Sequence, residues 1–545
     1  MKQRSEMSLR QKIGQMMMCG FSTSNEFDSA MKPNKKIIDL IQKHEIGGVI
    51  LFRRNLDNPK QVSELNHELQ MFAKDSAGGP LLISIDQEGG MVARIHEGIA
   101  CMPGSMAIGA TRDAQAAYET ARISGVELRA MGINLNFAPC LDINNNPMNP
   151  VIGVRSFGET AEIVGELGAA AVKGYQAAGV APTIKHFPGH GDTHSDSHHA
   201  LPMIPHDLER LRKLEFAPFV KAIQEGAEVL MSAHVIFPAL EPDGLPSTLS
   251  KRVLTDLLRG ELGYNGVIVT DCLEMKAIAD HYGTAEGAVM AVEAGTDLLL
   301  VSHTYDTQVQ TIERLVEAVE SGRISEERIN ESVDRILALK RGLNITVGNK
   351  AGDISSVGSP EHIELVRETY KKSVTLVKDE GQLPLANDKR TFVIWTEVRE
   401  WTQIDEVVEQ KETLGAFLAE TVHEVTEERI HTNPSEEEVE RVLKASQGYD
   451  QVIVVTYNAS FSPNQVRILK ELAARDSKLV VVAGRNPFDL KEFPEVKTFL
   501  ASYENRPYAM NAVAGVLTGQ FPAGGKLPVT VTPEYAYGWS ASPRS

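Results

Sequence analysis

Val180-Ala181-Pro182-Thr183-Ile184 runs straight into Lys185-His186-Phe187-Pro188-Gly189-His190-Gly191-Asp192-Thr193-His194-Ser195-Asp196-Ser197-His198-His199, and this junction decides the fold. The first five residues form a largely apolar run. The next fifteen hold five histidines and two aspartates, broken by two glycines and a proline that disfavour helix and strand. No core needs that composition, because buried histidine and aspartate cost stability unless partners satisfy them. An apolar run that ends in such a loop reads as a parallel strand delivering functional residues at its C-terminal end.

The same pattern recurs on both sides of it. Apolar runs occur at Ile13–Met18, Gly48–Phe52, Leu81–Asp86, Ile133–Ala138, Thr183–Phe187, Val229–His234, Val267–Asp271 and Asp297–Val301. Helical stretches such as Ala114–Ala130 and Thr160–Ala178 lie between them. Eight candidate strands alternating with helices predict a closed α/β barrel of the TIM type for residues 1–345. Ionisable groups stand at the C-terminal ends of five runs: Asp86, Asp142, Lys185 with His186, His234 and Asp271. In a barrel those ends share one rim, so residues far apart in sequence converge on one pocket.

Glycines 348, 352 and 358, with Ser355, Ser356 and Ser359, mark residues 346–366 as a linker. Residues 367–545 predict a second α/β sandwich domain, with buried-strand runs at Thr391–Thr396, Gln451–Thr456 and Leu479–Ala483. Ser462-Pro463-Asn464-Gln465 reads as a capped helix start, and Ser435-Glu436-Glu437-Glu438 as another. This half carries no glycine-rich phosphate loop and no histidine cluster, so it reads as structural and packed on the first.

A chain of 545 residues is too long for one ordinary core, and 42% hydrophobic with 23% charged residues is a globular composition. The net charge of −18 argues against nucleic acid as a partner and leaves a small neutral ligand open. Cys19, Cys101, Cys140 and Cys272 are widely spaced, which predicts reduced thiols. Cys19 follows three methionines, but Lys2–Gln15 offers no apolar leader, so no lipoprotein signal is read there. With no run long enough to span a bilayer, no membrane association is expected and a cytoplasmic location is.

Two chemistries fit the histidine-rich loop. His186, His190, Asp192, His194, Asp196 and His198 are all acceptable zinc or iron ligands, which keeps a metal-dependent barrel hydrolase open. Alternatively, Asp196-Ser197-His198 forms a carboxylate–imidazole pair for general acid–base work, since imidazole titrates near neutral pH. That pair needs a nucleophile elsewhere, and Asp271 at a strand end fits, although it could also cap a following helix. A binding protein without chemistry is a third possibility.

The string KHFPGHGDTHSDSH followed by Leu201-Pro202 resembles the signature of glycoside hydrolase family 3, in its β-N-acetylglucosaminidase branch. Supporting motifs occur in family order: Asp86-Gln87-Glu88-Gly89-Gly90, Asn136-Phe137-Ala138-Pro139 with Asp142, Arg155-Ser156-Phe157, Ala233-His234-Val235 and Val269-Thr270-Asp271. Arg485-Asn486-Pro487 and Phe521-Pro522-Ala523-Gly524-Gly525-Lys526-Leu527-Pro528 resemble the family's second domain. Met91 departs from the pattern, because relatives often carry arginine after the paired glycines.

The resemblance implies a retaining exo-β-N-acetylglucosaminidase that needs no cofactor and no metal. Asp271 would be the nucleophile, with His198 as acid and base and Asp196 as its partner. Asp86, Arg94, Arg155, Lys185 and His186 would hold the sugar in the first pocket. The implied substrate ends in β-linked N-acetylglucosamine, from cell-wall muropeptides first, in peptidoglycan recycling, and from chitin fragments second. Some members of the branch resemble phosphorylases, and a neutral histidine base repels incoming phosphate less than a carboxylate would.

Overall fold

A computed structural model of the chain describes residues 2–24, 28–197, 201–345, 353–398, 410–475 and 477–541. The first half is an eight-stranded parallel α/β barrel. Its strands are β1 (Met17–Cys19), β2 (Gly48–Leu51), β3 (Leu82–Ile85), β4 (Leu135–Asn136), β5 (Ala181–Phe187), β6 (Val229–Ser232), β7 (Val267–Thr270) and β8 (Leu299–Val301). The order β7-β6-β5-β4-β3-β2-β1-β8 runs round the ring, and a parallel bridge from Val269 to Leu298 brings its two ends together. Every residue of these strands is buried, which is why each reads as an apolar run rather than an alternating one.

Each of the eight apolar runs contains or overlaps one strand. The first is shifted: residues Leu9–Gln15 are a helix that starts at a Ser8–Gln11 capping box, and the strand begins only at Met17. Helix and strand are buried in turn, so the apolar signal passes through both without a break. The stretch read as a linker enters a helix, Pro360–Ser373, capped by Ser359, and residues 346–352 lie outside the described part.

The second half is built on a six-stranded sheet of order β11-β10-β12-β13-β14-β9. These strands are β9 (Thr375–Asp379), β10 (Arg390–Glu397), β11 (Glu424–His431), β12 (Gln451–Thr456), β13 (Lys478–Ala483) and β14 (Thr498–Ala501). Only β9 is antiparallel, on β14. Ser435 and Glu438 close a capping box as the acidic start suggests. The helix Pro463–Ala473 also starts where expected, but the Ser462 side chain does not cap it. Gln465 is spent instead on Tyr457 and on the Thr432 carbonyl.

One apolar cluster belongs to both halves. Met91, Met106, Ala107 and Val154 of the barrel domain pack with Tyr457, Phe488 and Tyr503 of the second domain. No helix among the described residues is long and apolar enough to cross a membrane.

Beneath the junction of β7 and β8 lies Asp297, fully buried. It receives Arg259 at 2.5 Å, Arg335 at 3.0 Å, Ser332 at 2.7 Å and the Ile268 amide at 3.0 Å. Removing one partner from such a buried set leaves the others uncompensated. Asp297→Ala is expected to lower the unfolding free energy by roughly 3–5 kcal/mol, measured by urea denaturation.

Candidate active site

β5 delivers Lys185 and His186 to the C-terminal rim of the barrel. Lys185 is 2% exposed, so its ammonium must be matched by charge. It donates to Asp86 Oδ1, at the end of β3, and to Glu88 Oε1, each at 2.7 Å. Glu88 in turn accepts Arg155 Nη2 at 2.8 Å and Arg155 Nε at 3.0 Å in a two-point pair. Burial alone would push the Glu88 carboxyl up, but Arg155 and then Lys185 hold it well below its ordinary range. Burial works against the Lys185 charge too, and Asp86 and Glu88 outweigh it, raising its pKa. Asp86, Arg155 and Lys185 are thus brought together, with Glu88 joining them.

The loop after β3 is held by side chains that the apolar runs do not announce. Asn136, the last residue of β4, receives the Gln87 amide at 3.0 Å and donates to the Gln87 carbonyl at 2.9 Å. The Gln87 side chain then accepts the Arg94 and Ile95 amides at 2.8 and 3.1 Å. Arg94, half-buried, is therefore fixed at its backbone by the same loop that presents Asp86.

His186 has a different partner. Its Nδ1 lies 2.6 Å from Asp142 Oδ2, and the His190 amide donates to Asp142 Oδ1 at 2.6 Å. Burial would raise the Asp142 carboxyl, yet His186 above all pulls it down to about 2. His190 is pushed down to about 4 by burial, then by His186, so its imidazole is neutral at neutral pH. Its Nδ1 meets Thr193 Oγ1 at 2.9 Å and its Nε2 meets Ser197 Oγ at 3.1 Å. His190 thereby ties down the residue between Asp196 and His198.

Further along, Asp192 Oδ2 takes His206 Nε2 at 2.6 Å and an Arg210 nitrogen at 2.8 Å. The donors considered as one metal set therefore turn to separate protein partners: His186 to Asp142, His190 to Thr193 and Ser197, Asp192 to His206. Asp196 is half-buried in this loop, and His198 and His199 lie outside the described residues.

Asp271 follows β7 on the same rim, half-buried, and accepts the Cys272 amide at 2.7 Å. His234, after β6, bridges Thr248 Oγ1 at 2.8 Å and the Cys272 carbonyl at 3.0 Å, so it braces the residue next to Asp271. The pairing role of Glu88 and the bracing roles of His190, read there as a possible metal ligand, and His234 went unread in the sequence. Glu88 stands in a quoted motif, but nothing local marks it as the shared partner of two cations.

Family descriptions match both halves: "Glycosyl hydrolase family 3 N terminal domain" over residues 8–339 and "Glycosyl hydrolase family 3 C-terminal domain" over 374–540. The chain is 33% identical to Beta-hexosaminidase A of Pseudoalteromonas piscicida, covering 91% of each protein. It is 30% identical to a Beta-N-acetylglucosaminidase/beta-glucosidase of Cellulomonas fimi, covering 84% of each. Among solved structures, a family 3 beta-N-acetylglucosaminidase from Paenibacillus sp. str. FPU-7 superposes with a TM-score of 0.93 at 53% identity, covering 96% of this chain and 99% of that one.

Because the Glu88 carboxyl is depressed in the folded protein, its stabilising contribution is present above the ordinary pKa of 4.5 and lost as pH falls below it. Glu88→Gln is expected to lower stability by several kcal/mol at pH 7, on the order of 3–5 as for a broken buried pair. The difference from the unsubstituted protein should shrink toward pH 3. Urea denaturation at the two pH values checks both the size and the sign.

Proposed function

The chain belongs to glycoside hydrolase family 3, and from that membership and the rim geometry we propose that it is a retaining exo-β-N-acetylglucosaminidase. The observation that carries this reading is the group Asp86, Glu88, Arg155 and Lys185 on the same barrel rim as Asp271. A pyranose presents several hydroxyls that each need a directed donor or acceptor, and these side chains supply both kinds at fixed positions. Asp86 and Lys185, with Arg94, Arg155 and His186, hold the terminal N-acetylglucosamine.

Asp271 attacks the anomeric carbon and the aglycone oxygen leaves, giving a covalent glycosyl-enzyme. His198 donates the proton to that leaving oxygen, then takes one from the incoming water as the glycosyl bond to Asp271 breaks. Asp196 orients the imidazole and stabilises its charged form. The half-buried position of Asp271 and its Cys272 amide partner suit a carboxylate that is held in place and reachable. Muropeptide fragments are the first substrate class and chitin oligosaccharides the second. The reaction takes place without a cofactor.

Asp271→Ala is expected to abolish turnover of an aryl β-N-acetylglucosaminide. His198→Ala should slow substrates with poor leaving groups by roughly 10²–10⁴-fold and spare activated ones, because only the former need protonation. Equal loss on both would count against the acid role. Product analysis with and without inorganic phosphate identifies the acceptor: free sugar in both fits hydrolysis, and a sugar phosphate would replace it with phosphorolysis.

A further inference from the structure

The segment Ser502–Arg506 leaves β14 of the second domain and presses against the loop that carries Asp86 and Glu88. Glu504 is 1% exposed; it accepts the Gly104 amide at 2.9 Å and the Tyr370 hydroxyl at 3.1 Å. Arg506, also buried, donates from Nε to the Gly90 carbonyl at 3.2 Å. At Gly90 this contact leaves no room for a side chain. Gly90 has φ +56°, and a Cβ there would stand 2.7 Å from Gly104 Cα and 3.2 Å from Glu504 Oε1. Tyr503 itself adopts φ +67°, a conformation a bulky residue takes only when its surroundings enforce it.

These contacts grip the loop twice, at the Gly90 carbonyl and at the Gly104 amide. Glu88 lies two residues before the first grip, and Arg155 lies across a void of about 10 Å³ from Glu504, room for about one water. We propose that Glu504 and Arg506 are positioning residues for the reaction, through which the second domain clamps the Gly89–Gly104 loop and so sets where Glu88 holds Lys185 and Arg155 against the sugar. This rests on the glycosidase reading above.

Glu504 also makes the clamp sensitive to pH. Burial pushes its carboxyl up to about 7, against the Gly104 amide, Arg506 and Tyr370, which favour the ionised form. The groups facing it are Tyr370 from the helix Pro360–Ser373, Cys101 from the barrel loop, Arg506 from its own segment, and Glu88 and Arg155 across the void. With a native pKa above the ordinary 4.5, the stabilising contribution is complete below 4.5 and lost as pH rises through about 7.

The test uses the full chain, an aryl β-N-acetylglucosaminide, and assays at pH 6 and pH 8. Glu504→Ala and Arg506→Met are expected to raise KM and lower kcat/KM by about 10- to 100-fold, the loss that follows small misplacement of binding groups. Glu504→Gln keeps an acceptor for Gly104 and mimics the protonated acid. It should return kcat/KM at pH 6 to within about twofold and should remove the part of any change in KM between pH 6 and pH 8 that ionisation of Glu504 contributes in the unsubstituted protein. Glu159→Ala removes a different contact between the halves, to the Thr530 amide and hydroxyl at 2.7 and 2.6 Å, and should lower the melting temperature only. If Glu504→Ala does not fold, Glu504→Gln and Arg506→Met decide the matter. Kinetics within about twofold of the unsubstituted protein for Arg506→Met, or an unchanged pH profile for Glu504→Gln, would overturn the proposal while leaving the glycosidase reading intact. An unsubstituted protein with no turnover would sink that reading, and the clamp's role in it.

Discussion

A lysine ammonium taken out of water at the end of a barrel strand imposes its terms on everything around it. Lys185 can stay charged there only because two carboxylates, Asp86 and Glu88, lie within 2.7 Å. Asp86 and Glu88 together carry one negative charge more than Lys185 balances, and Arg155 restores the sum. Each member needs its neighbours in register, so the loop after β3, the turn at Arg155 and the end of β5 must be placed together. The Asn136–Gln87–Arg94 chain of hydrogen bonds and the grip of the second domain on Gly90 and Gly104 both serve that placement.

A parallel chain of constraints runs down the histidine-rich loop. Asp142 fixes His186 and the backbone of His190, and His190 then fixes Thr193 and Ser197. A histidine held neutral by burial donates at one nitrogen and accepts at the other, which suits a brace better than a proton shuttle. His190 thus shapes the loop, although the sequence presents it within a run of like letters.

How much of this was legible in the sequence follows from where each signal is written. Barrel strands are buried on both faces, so β2, β3, β6 and β7 stand out as apolar runs bounded by polar residues. β11 did not, because Glu424-Val425-Thr426-Glu427-Glu428-Arg429-Ile430-His431 is a mostly polar edge strand that pairs with β10 alone. The start of β1 was hidden by a buried helix running into it. Asp86, Lys185 and Asp271 were visible as ionisable groups at strand ends. Glu504 was not, since its partners Gly104 and Tyr370 lie 400 and 134 residues away. No local pattern encodes a contact between domains.

The seam where the barrel closes also has a use. Any ring of strands must be joined somewhere, and here the join falls between β7 and β8, directly below Asp271. A join of this sort is the natural place for a ring to breathe, and breathing there would displace the very group proposed to attack. Three arginines gathered on Asp297, with its bonds to the Ile268 amide and Ser332, rivet the two edges from beneath. In mechanical terms the carboxylate proposed to attack is mounted on a seam that has been pinned shut, with its tolerance set at the opposite end of the barrel from the rim.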